Sequence, residues 1–341
     1  MTVLIGCIGG GQLGRMLALA GSPLGVRLRF LDPASDACAG GVGELLVGPY
    51  DDQALLDRLA DGADAVTYEF ENVPVEAARR VRAVPDARAL EQGQDRLVEK
   101  ELFRTLGIPT ARFGTLDDTG VPALVKSRRL GYDGKSQRVV ESPELLGDSE
   151  LAEEVVKFDR ELSILAARGR DGETVFYPLV ENEHRDGILA VSRAPARHAP
   201  QQEAEEIARA LLDTLGYVGV LAVELFEVDG KLLANEFAPR VHNSGHWTID
   251  GAVTSQFESH VRAVLGLPLG ATDALGEAVM VNLVGETPPL DRLLAVPGAR
   301  VHVYGKSPRA GRKLGHVTLV DAGEDAISEV VALATSTWTS G

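Results

Sequence analysis

The sequence predicts a chain of mixed α/β and α+β class: an N-terminal parallel, doubly wound sheet, then a mixed central region, then a small strand-rich C-terminal segment. Three observations predict it. Short apolar runs alternate with helical patterns over roughly the first 90 residues, the spacing of βαβ units. From Asp95 the texture changes to charged helices, a polar glycine-containing loop and a long hairpin. From about Met280 the runs shorten and are broken by expected turns at Pro288-Pro289, Pro297-Gly298 and Gly311. The chain has 341 residues, more than one ordinary core serves, so two or three packed domains are expected. Their expected boundaries are 1–94, 95–279 and 280–341.

Each element has a local reason. Thr2 to Ile8 reads as a buried strand, and the glycines that follow turn it into a helix from Gln12 to Ala20. Further strands are expected at Val26 to Leu31, ending at Asp32, at Glu44 to Val47 and at Ala65 to Tyr68, with a helix at Gln53 to Leu59. A charged helix from Asp95 to about Leu106 is stopped by Gly107-Ile108-Pro109. Ala123 to Lys126 is strand-like and leads into a polar loop from Arg128 to Gln137. Helices are expected at Gln201 to Leu215 and Gln256 to Leu265. Val218 to Val228 and Lys231 to Phe237 form a hairpin around Asp229-Gly230, a strong short-range turn signal.

Composition narrows the function classes. Hydrophobic residues make up 45% and charged residues 25%, ordinary for a soluble globular protein. The net charge of -16 repels a phosphate backbone, so nucleic acid is not an expected partner; a local basic pocket for a small phosphate is compatible with it. The only cysteines, Cys7 and Cys38, read as free thiols in a reducing compartment. The N-terminus has no basic start and no apolar run is long enough to span a membrane, so a cytoplasmic protein with no membrane partner is expected.

Gly9-x-Gly11-x-x-Gly14 follows a strand and opens a helix, where amides and a tight turn make an anion site, so a phosphate is expected there. Asp32 ends the next strand, where a dinucleotide fold keeps its ribose-binding acid. Alone, this pattern supports an NAD-type domain; the plain alternative is a tight turn in a parallel sheet.

Four later segments point elsewhere. Lys126 ends a strand and precedes a flexible loop through Arg128, Arg129, Gly131, Gly134 and Lys135, an arrangement suited to nucleotide phosphates although it is not a P-loop. Glu224 and Glu236 lie inside otherwise apolar strands, where a carboxylate is costly unless a cation compensates it. Magnesium or a basic side chain meets that need. A three-residue loop, Asp229-Gly230-Lys231, would pair Glu224 with Glu236, and a two-residue loop would pair Glu224 with Asn235. Sharing one ion favours the first. Arg240, His242 and His246 follow the acidic strand and suit anion binding better than zinc, because no third ligand is evident. Gly311-Arg312-Lys313-Leu314-Gly315-His316 is a basic turn in an acidic chain.

With these residues in view, the chain resembles the N5-carboxyaminoimidazole ribonucleotide synthetases of the ATP-grasp superfamily. The strongest stretches are Thr67 to Pro74, Gly131 to Lys135 and Asn235 to Thr248. The resemblance implies a Rossmann-like first domain, a central ATP-grasp domain and a small C-terminal one. It implies ATP contacts at Arg96, Lys126, Gly131, Tyr132, Asp133, Gly134, Lys135, Ser136, Gln137, Glu153, Glu154, Val155, Val156, Glu161, His184, Asn235 and Glu236. Of these, 153–156 would meet adenine through backbone groups and Glu161 the ribose. It implies Mg2+ on Glu224 and Glu236, ribonucleotide contacts at Gly11, Gln12, Leu13, Glu69, Glu71, Asn72, Arg240, Arg312 and Lys313, and catalytic work by Arg240, His242 and Lys313.

The implied reaction is ATP- and bicarbonate-dependent carboxylation of aminoimidazole ribonucleotide through carboxyphosphate, in purine synthesis, by a homodimer. Two positions depart from wider patterns. Ser136 replaces the family's usual last loop glycine, and Ala238 stands where many ATP-grasp enzymes carry an asparagine metal ligand. The rivals are a formate-using ATP-grasp sibling acting on glycinamide ribonucleotide, an NAD-dependent oxidoreductase and a non-catalytic nucleotide sensor.

Overall fold

The computed structural model describes residues 3–131 and 137–338. The expected loop contacts Tyr132, Asp133, Gly134, Lys135 and Ser136 lie outside these residues. The first sheet contains β1 (Val3–Ile8), β2 (Val26–Asp32), β3 (Glu44–Val47) and β4 (Ala65–Tyr68) in the order β3-β2-β1-β4, all parallel. Alternation sends Ile8, Leu31 and Leu46 to one face, against Leu56 and Leu59 of α2 (Gln53–Ala60). Ile5, Cys7 and Phe30 go to the other face, against Met16 and Leu17 of α1 (Gln12–Gly21). Two short helices, α3 (Val75–Arg80) and α4 (Ala87–Gly93), lead out of this region.

The central region starts with α5 (Arg96–Thr105), capped by Asp95, whose carboxylate accepts from Leu97 N at 3.1 Å. Asp95 also accepts from Arg128 and Arg129 at 2.8 and 3.2 Å, so these two loop cations are engaged within the protein. A small sheet follows, in the order β5-β8-β6-β7, from β5 (Phe113–Gly114), β6 (Ala123–Ser127), β7 (Gln137–Val140) and β8 (Glu150–Glu154), with α6 (Leu116–Thr119) beside it.

A larger sheet holds β9 (Arg160–Arg168), β10 (Thr174–Phe176), β11 (Val180–Arg185), β12 (Ile188–Ala194), β13 (Gly219–Val228), β14 (Lys231–Ala238), β15 (Ala278–Gly285), β16 (Arg300–Val303) and β17 (Arg309–Val320). Its order is β14-β13-β9-β11-β12-β15-β17-β16, with β10 against β9. Helix α7 (Gln201–Leu215) covers one face, packing Ile207, Leu211 and Leu212 on Leu221, Val223 and Leu225. Each fully buried leucine of that kind contributes about 2 kcal/mol. The short α8 (Thr248–Gly251) and α9 (Gln256–Leu265) pack on the other face, in the same core as α1. That shared core ties the first sheet to the large one.

Two expectations change. Gly311 is not a turn; it lies within β17 at φ 69°, where the pairing with β15 is irregular. The C-terminal strands continue the large sheet, with α10 (Leu290–Ala295) between β15 and β16 and a terminal helix α11 (Glu324–Ser336) after β17, neither of which the strand-rich reading foresees. Ile327, Val330 and Leu333 of α11 pack on Val279, Val281 and Leu319.

The hairpin resolves the register in a third way. Val228 pairs with Lys231, so the loop is the two-residue Asp229-Gly230, both at positive φ (50° and 75°) as a type I′ turn requires. Glu224 nevertheless pairs with Glu236, because a β-bulge places Asn235 as an extra residue between the Leu225–Ala234 and Glu224–Glu236 pairs. The acids meet through a bulge five residues from the turn and not through a longer loop.

Candidate active site

A cleft of about 640 Å3 opens between the small sheet, the large sheet and the start of α1. Glu224 and Glu236 face each other across β13 and β14 on its floor. Burial pushes Glu224 up, and the opposing Glu236 pushes it further, to about 7. Burial acts on Glu236 too, but Arg96 donates to it at 2.6 Å and holds it at about 2. The pair is therefore one carboxylate kept ionised by Arg96 and one whose ionisation its neighbour opposes. Beside them the buried Asn235 Oδ1 has no hydrogen-bond partner among the described residues. Two facing acids and an orphaned amide oxygen form a donor set suited to a hard cation such as Mg2+. Among the described residues no cluster of three acids, histidines or cysteines offers a complete metal cage.

On the opposite wall, Lys126 at the end of β6 points into the cleft and donates to Glu153 at 3.0 Å. Lys100 lies 3.3 Å from the same carboxylate and also donates to Thr110 Oγ1 and Asn235 O, at 3.1 and 2.8 Å. Burial opposes ionisation of Glu153, yet the two lysines keep its pKa below the ordinary range. Glu161 on β9 meets His184 on β11 at 2.6 Å. Burial pulls His184 down, but this bond and the charge of Glu224 raise it overall.

Past the acids, Arg240 and His242 line the cleft. Arg240 is clasped by Glu71 and donates to Val241 O at 2.9 Å. His242 Nε2 is 3.3 Å from Glu224 Oε1. Burial, then Arg240 and Lys313, hold its pKa well below the usual imidazole range. His246 turns away, packing against Phe257, Tyr304 and His316. Arg312 and Lys313 on β17 border the same space, Arg312 donating to Ser307 O at 3.1 Å.

At the glycine turn the protein already supplies one anion. Glu69, 8% exposed, accepts from Gly11 N and Gly14 N, both at 2.7 Å, so the anion at the start of α1 is the protein's own. A Cβ at Gly11 would lie 2.6 Å from Glu69 Oε1. Burial raises Glu69 above the usual carboxylate range despite these two amides. Asp32 is equally engaged, accepting from Gly10 N at 2.8 Å, Ala34 N at 2.8 Å and Tyr50 Oη at 3.0 Å. The dinucleotide reading fails on those contacts.

Comparison with known proteins covers most of the chain. Residues 101–257 match the ATP-grasp domain, 1–94 the ribonucleotide synthetase preATP-grasp domain, and 278–330 the phosphoribosylaminoimidazole carboxylase C-terminal domain. An N5-carboxyaminoimidazole ribonucleotide synthase of Pseudomonas aeruginosa is 51% identical over 337 residues, covering 92% of this chain and 94% of the relative. The chain belongs to the N5-carboxyaminoimidazole ribonucleotide synthase family. It is an ATP-grasp ligase. The synthetase of Thermus thermophilus superposes with a TM-score of 0.92 at 53% identity, over 98% of both chains. The synthase of Aspergillus clavatus, solved with ADP and 5-aminoimidazole ribonucleotide, gives 0.89 at 30% identity, over 98% of this chain and 99% of that one.

Of the residues expected from this synthase family, the cleft gathers Gln12, Leu13, Glu69, Glu71, Arg96, Lys126, Gly131, Gln137, Glu161, His184, Glu224, Asn235, Glu236, Arg240, His242, Arg312 and Lys313. Asn72 borders a smaller adjoining hollow with Glu71 and Arg96. Gly11 lies behind Glu69. Glu153, Glu154, Val155 and Val156 are not among the lining residues; Glu153 is buried against its lysines and Glu154 pairs with Arg112 at 2.9 Å. Sequence reasoning missed Phe158 and Phe226, stacked at 4.8 Å on the cleft rim, and Lys306, which donates to Gln12 Oε1 at 2.7 Å. Burial and Arg312 bring Lys306 down to about 8. Phe158 and Lys306 stand outside helices and strands and leave no periodic signal, and Phe226 reads only as one more apolar residue of β13.

Proposed function

We infer that the chain carries out the ATP-dependent carboxylation of 5-aminoimidazole ribonucleotide to its N5-carboxyamino product in purine biosynthesis. The observation that carries this reading is the facing Glu224–Glu236 pair, with Lys126 across the same cleft and Arg240 and His242 beside it. The relative solved with ADP and 5-aminoimidazole ribonucleotide supports the choice of substrates.

In this reading Glu224 and Glu236, with Asn235 beside them, hold Mg2+, which when bound offsets the charge of the ATP phosphates. Lys126 and Arg96 flank those phosphates, Glu161 holds the ribose and the Phe158–Phe226 edge borders the base. An oxygen of bicarbonate attacks the γ-phosphorus and the bond to ADP breaks, giving carboxyphosphate. The bond between its carbon and the bridging oxygen then breaks, the oxygen leaving with phosphorus as phosphate and the carbon as CO2, and the amine nitrogen bonds to that carbon and gives its proton to the released phosphate. Arg240 holds the carboxyl-bearing anion, while Lys306, Arg312 and Lys313 draw the ribonucleotide phosphate to the side of the cleft near Gln12 and Leu13. A net-negative chain must supply such positive charge locally. The protein's work is electrostatic and positional.

The test is purified protein with ATP, Mg2+, bicarbonate and 5-aminoimidazole ribonucleotide, following ADP and carboxylated product together. Stoichiometric product with bicarbonate and none with formate is expected. ADP release with no carboxylated ribonucleotide would count against the assignment. The homodimer and cytoplasmic location belong to the same reading, and sedimentation of the purified chain tests the first.

A further inference from the structure

The wall behind His242 is polar where a strand core is usually apolar. Ser163 on β9, Asn182 on β11, Ser192 on β12 and Ser244 are all buried, and they form one line of hydrogen bonds. Ser192 Oγ donates to Asn182 Oδ1 at 2.7 Å, and Asn182 Nδ2 donates to Ser163 Oγ at 2.9 Å. Ser163 Oγ then meets Ser244 Oγ at 2.8 Å, and Ser244 Oγ meets His242 Nδ1 at 2.9 Å.

Each hydroxyl has a single hydrogen to give but can accept two, so the side chains do not by themselves fix which atom gives the hydrogen at Nδ1. Either Ser244 Oγ donates and Nδ1 accepts, or Nδ1–H donates to Ser244 Oγ. The backbone breaks the tie. Ser244 N–H points at His242 Nδ1 from 3.4 Å, a long contact but one whose sign is fixed, because an amide nitrogen only donates. Nδ1 therefore carries no proton, and the ring hydrogen sits on Nε2, which faces Glu224 and the cleft. The His242 backbone is held as well: Gln256 Oε1 accepts from its N–H at 2.9 Å and Gln256 Nε2 donates to its carbonyl at 2.6 Å.

We propose that Ser244, backed by Ser163, Asn182 and Ser192, is a positioning residue that holds neutral His242 as the Nε2–H tautomer, so that the imidazole presents a hydrogen-bond donor to the reacting anion. This deepens the proposed function and rests on it for the identity of that anion. It also assigns a direction to His242, which steadies an oxygen of the carboxyl-bearing anion and does not accept the amine proton at Nε2. The second neighbour of a ring nitrogen sets the tautomer in this way wherever imidazole must present one chosen face.

The full-length protein labelled with 15N-histidine tests it by long-range proton–nitrogen spectra, with the His242 signals identified by their loss in His242→Gln. The expected wild-type spectrum has a protonated Nε2 and a bare Nδ1. In Ser244→Ala the two tautomers mix, and kcat falls about 10- to 100-fold with a much smaller change in KM for the ribonucleotide. Ser163→Ala, which cuts the line one step further back, gives a smaller change of the same kind and carries the test should Ser244→Ala not fold. A protonated Nδ1 in the wild type overturns the proposal, as do variant spectra and kcat values equal to those of the wild type. A wild-type protein that turns over no ribonucleotide would reject the proposed function alone, since the spectra still decide the tautomer.

Discussion

The glycine turn and the bulged hairpin both bring carboxylates to the cleft, but they leave them in opposite states. At the turn, Glu69 and Asp32 are saturated: each accepts from at least two donors at or below 3.0 Å. At the hairpin, Glu224 is pushed up toward neutrality by its neighbour and Asn235 Oδ1 lacks a partner among the described residues. One region uses its acids to build the backbone, and the other keeps an electrostatic demand that a bound cation would satisfy. A motif that looks like a ligand site is structural when the protein supplies the ligand itself.

The comparison predicts that acids of the two regions fail differently. Glu236→Gln should lower kcat about a thousandfold while the far-ultraviolet dichroism and unfolding midpoint stay near wild type; retained turnover would remove the metal role. Glu69→Ala should do the reverse, lowering unfolding free energy by about 3 kcal/mol because two buried amides lose a charged acceptor. Urea unfolding measures it, and an unchanged midpoint would mean the turn does not depend on that carboxylate.

Protonation sharpens the contrast. Glu224 stands at about 7 without metal, above its unfolded value, so its protonated form favours the fold at low pH and that contribution is lost as pH rises through 7. Ligation needs the ionised form, so Mg2+ with ADP should expel up to about one proton at pH 6 and almost none at pH 9. Calorimetry in buffers of different ionisation heat reads the difference, and Glu224→Gln should abolish it. The smallest effect is expected at the seam between the regions. Lys306→Met removes the bond to Gln12 and should raise KM for the ribonucleotide about tenfold, with KM for ATP unchanged.

Much of this was legible in the sequence. Strands such as Glu44–Val47 and Ala65–Tyr68 and the helices Gln201–Leu215 and Gln256–Leu265 follow from local pattern, because each carries its own period and stop signal. The acid pair was legible as two charges in apolar strands. What was not legible depends on distant partners. The Asn235 bulge is a property of two aligned strands, and the self-supplied anion at Gly11 comes from 58 residues away. The serine and asparagine line is drawn from three strands and a turn, each contributing one ordinary polar residue. Helix α11 was missed because the strand-rich stretch before it set the expectation for the whole segment.

The extra residue at Asn235 separates two jobs that a plain hairpin would join. Four cross-strand pairs, from Val228–Lys231 to Leu225–Ala234, lie between the tip and the bulge, so the tip can be lengthened or exchanged without turning either acid away from its partner. The Asp229-Gly230 corner is therefore a suitable anchorage for a fluorophore or a tether. Straightening the bulge with Asn235 kept, by contrast, would bring Asn235 opposite Glu224 and send Glu236 to the other face of the sheet.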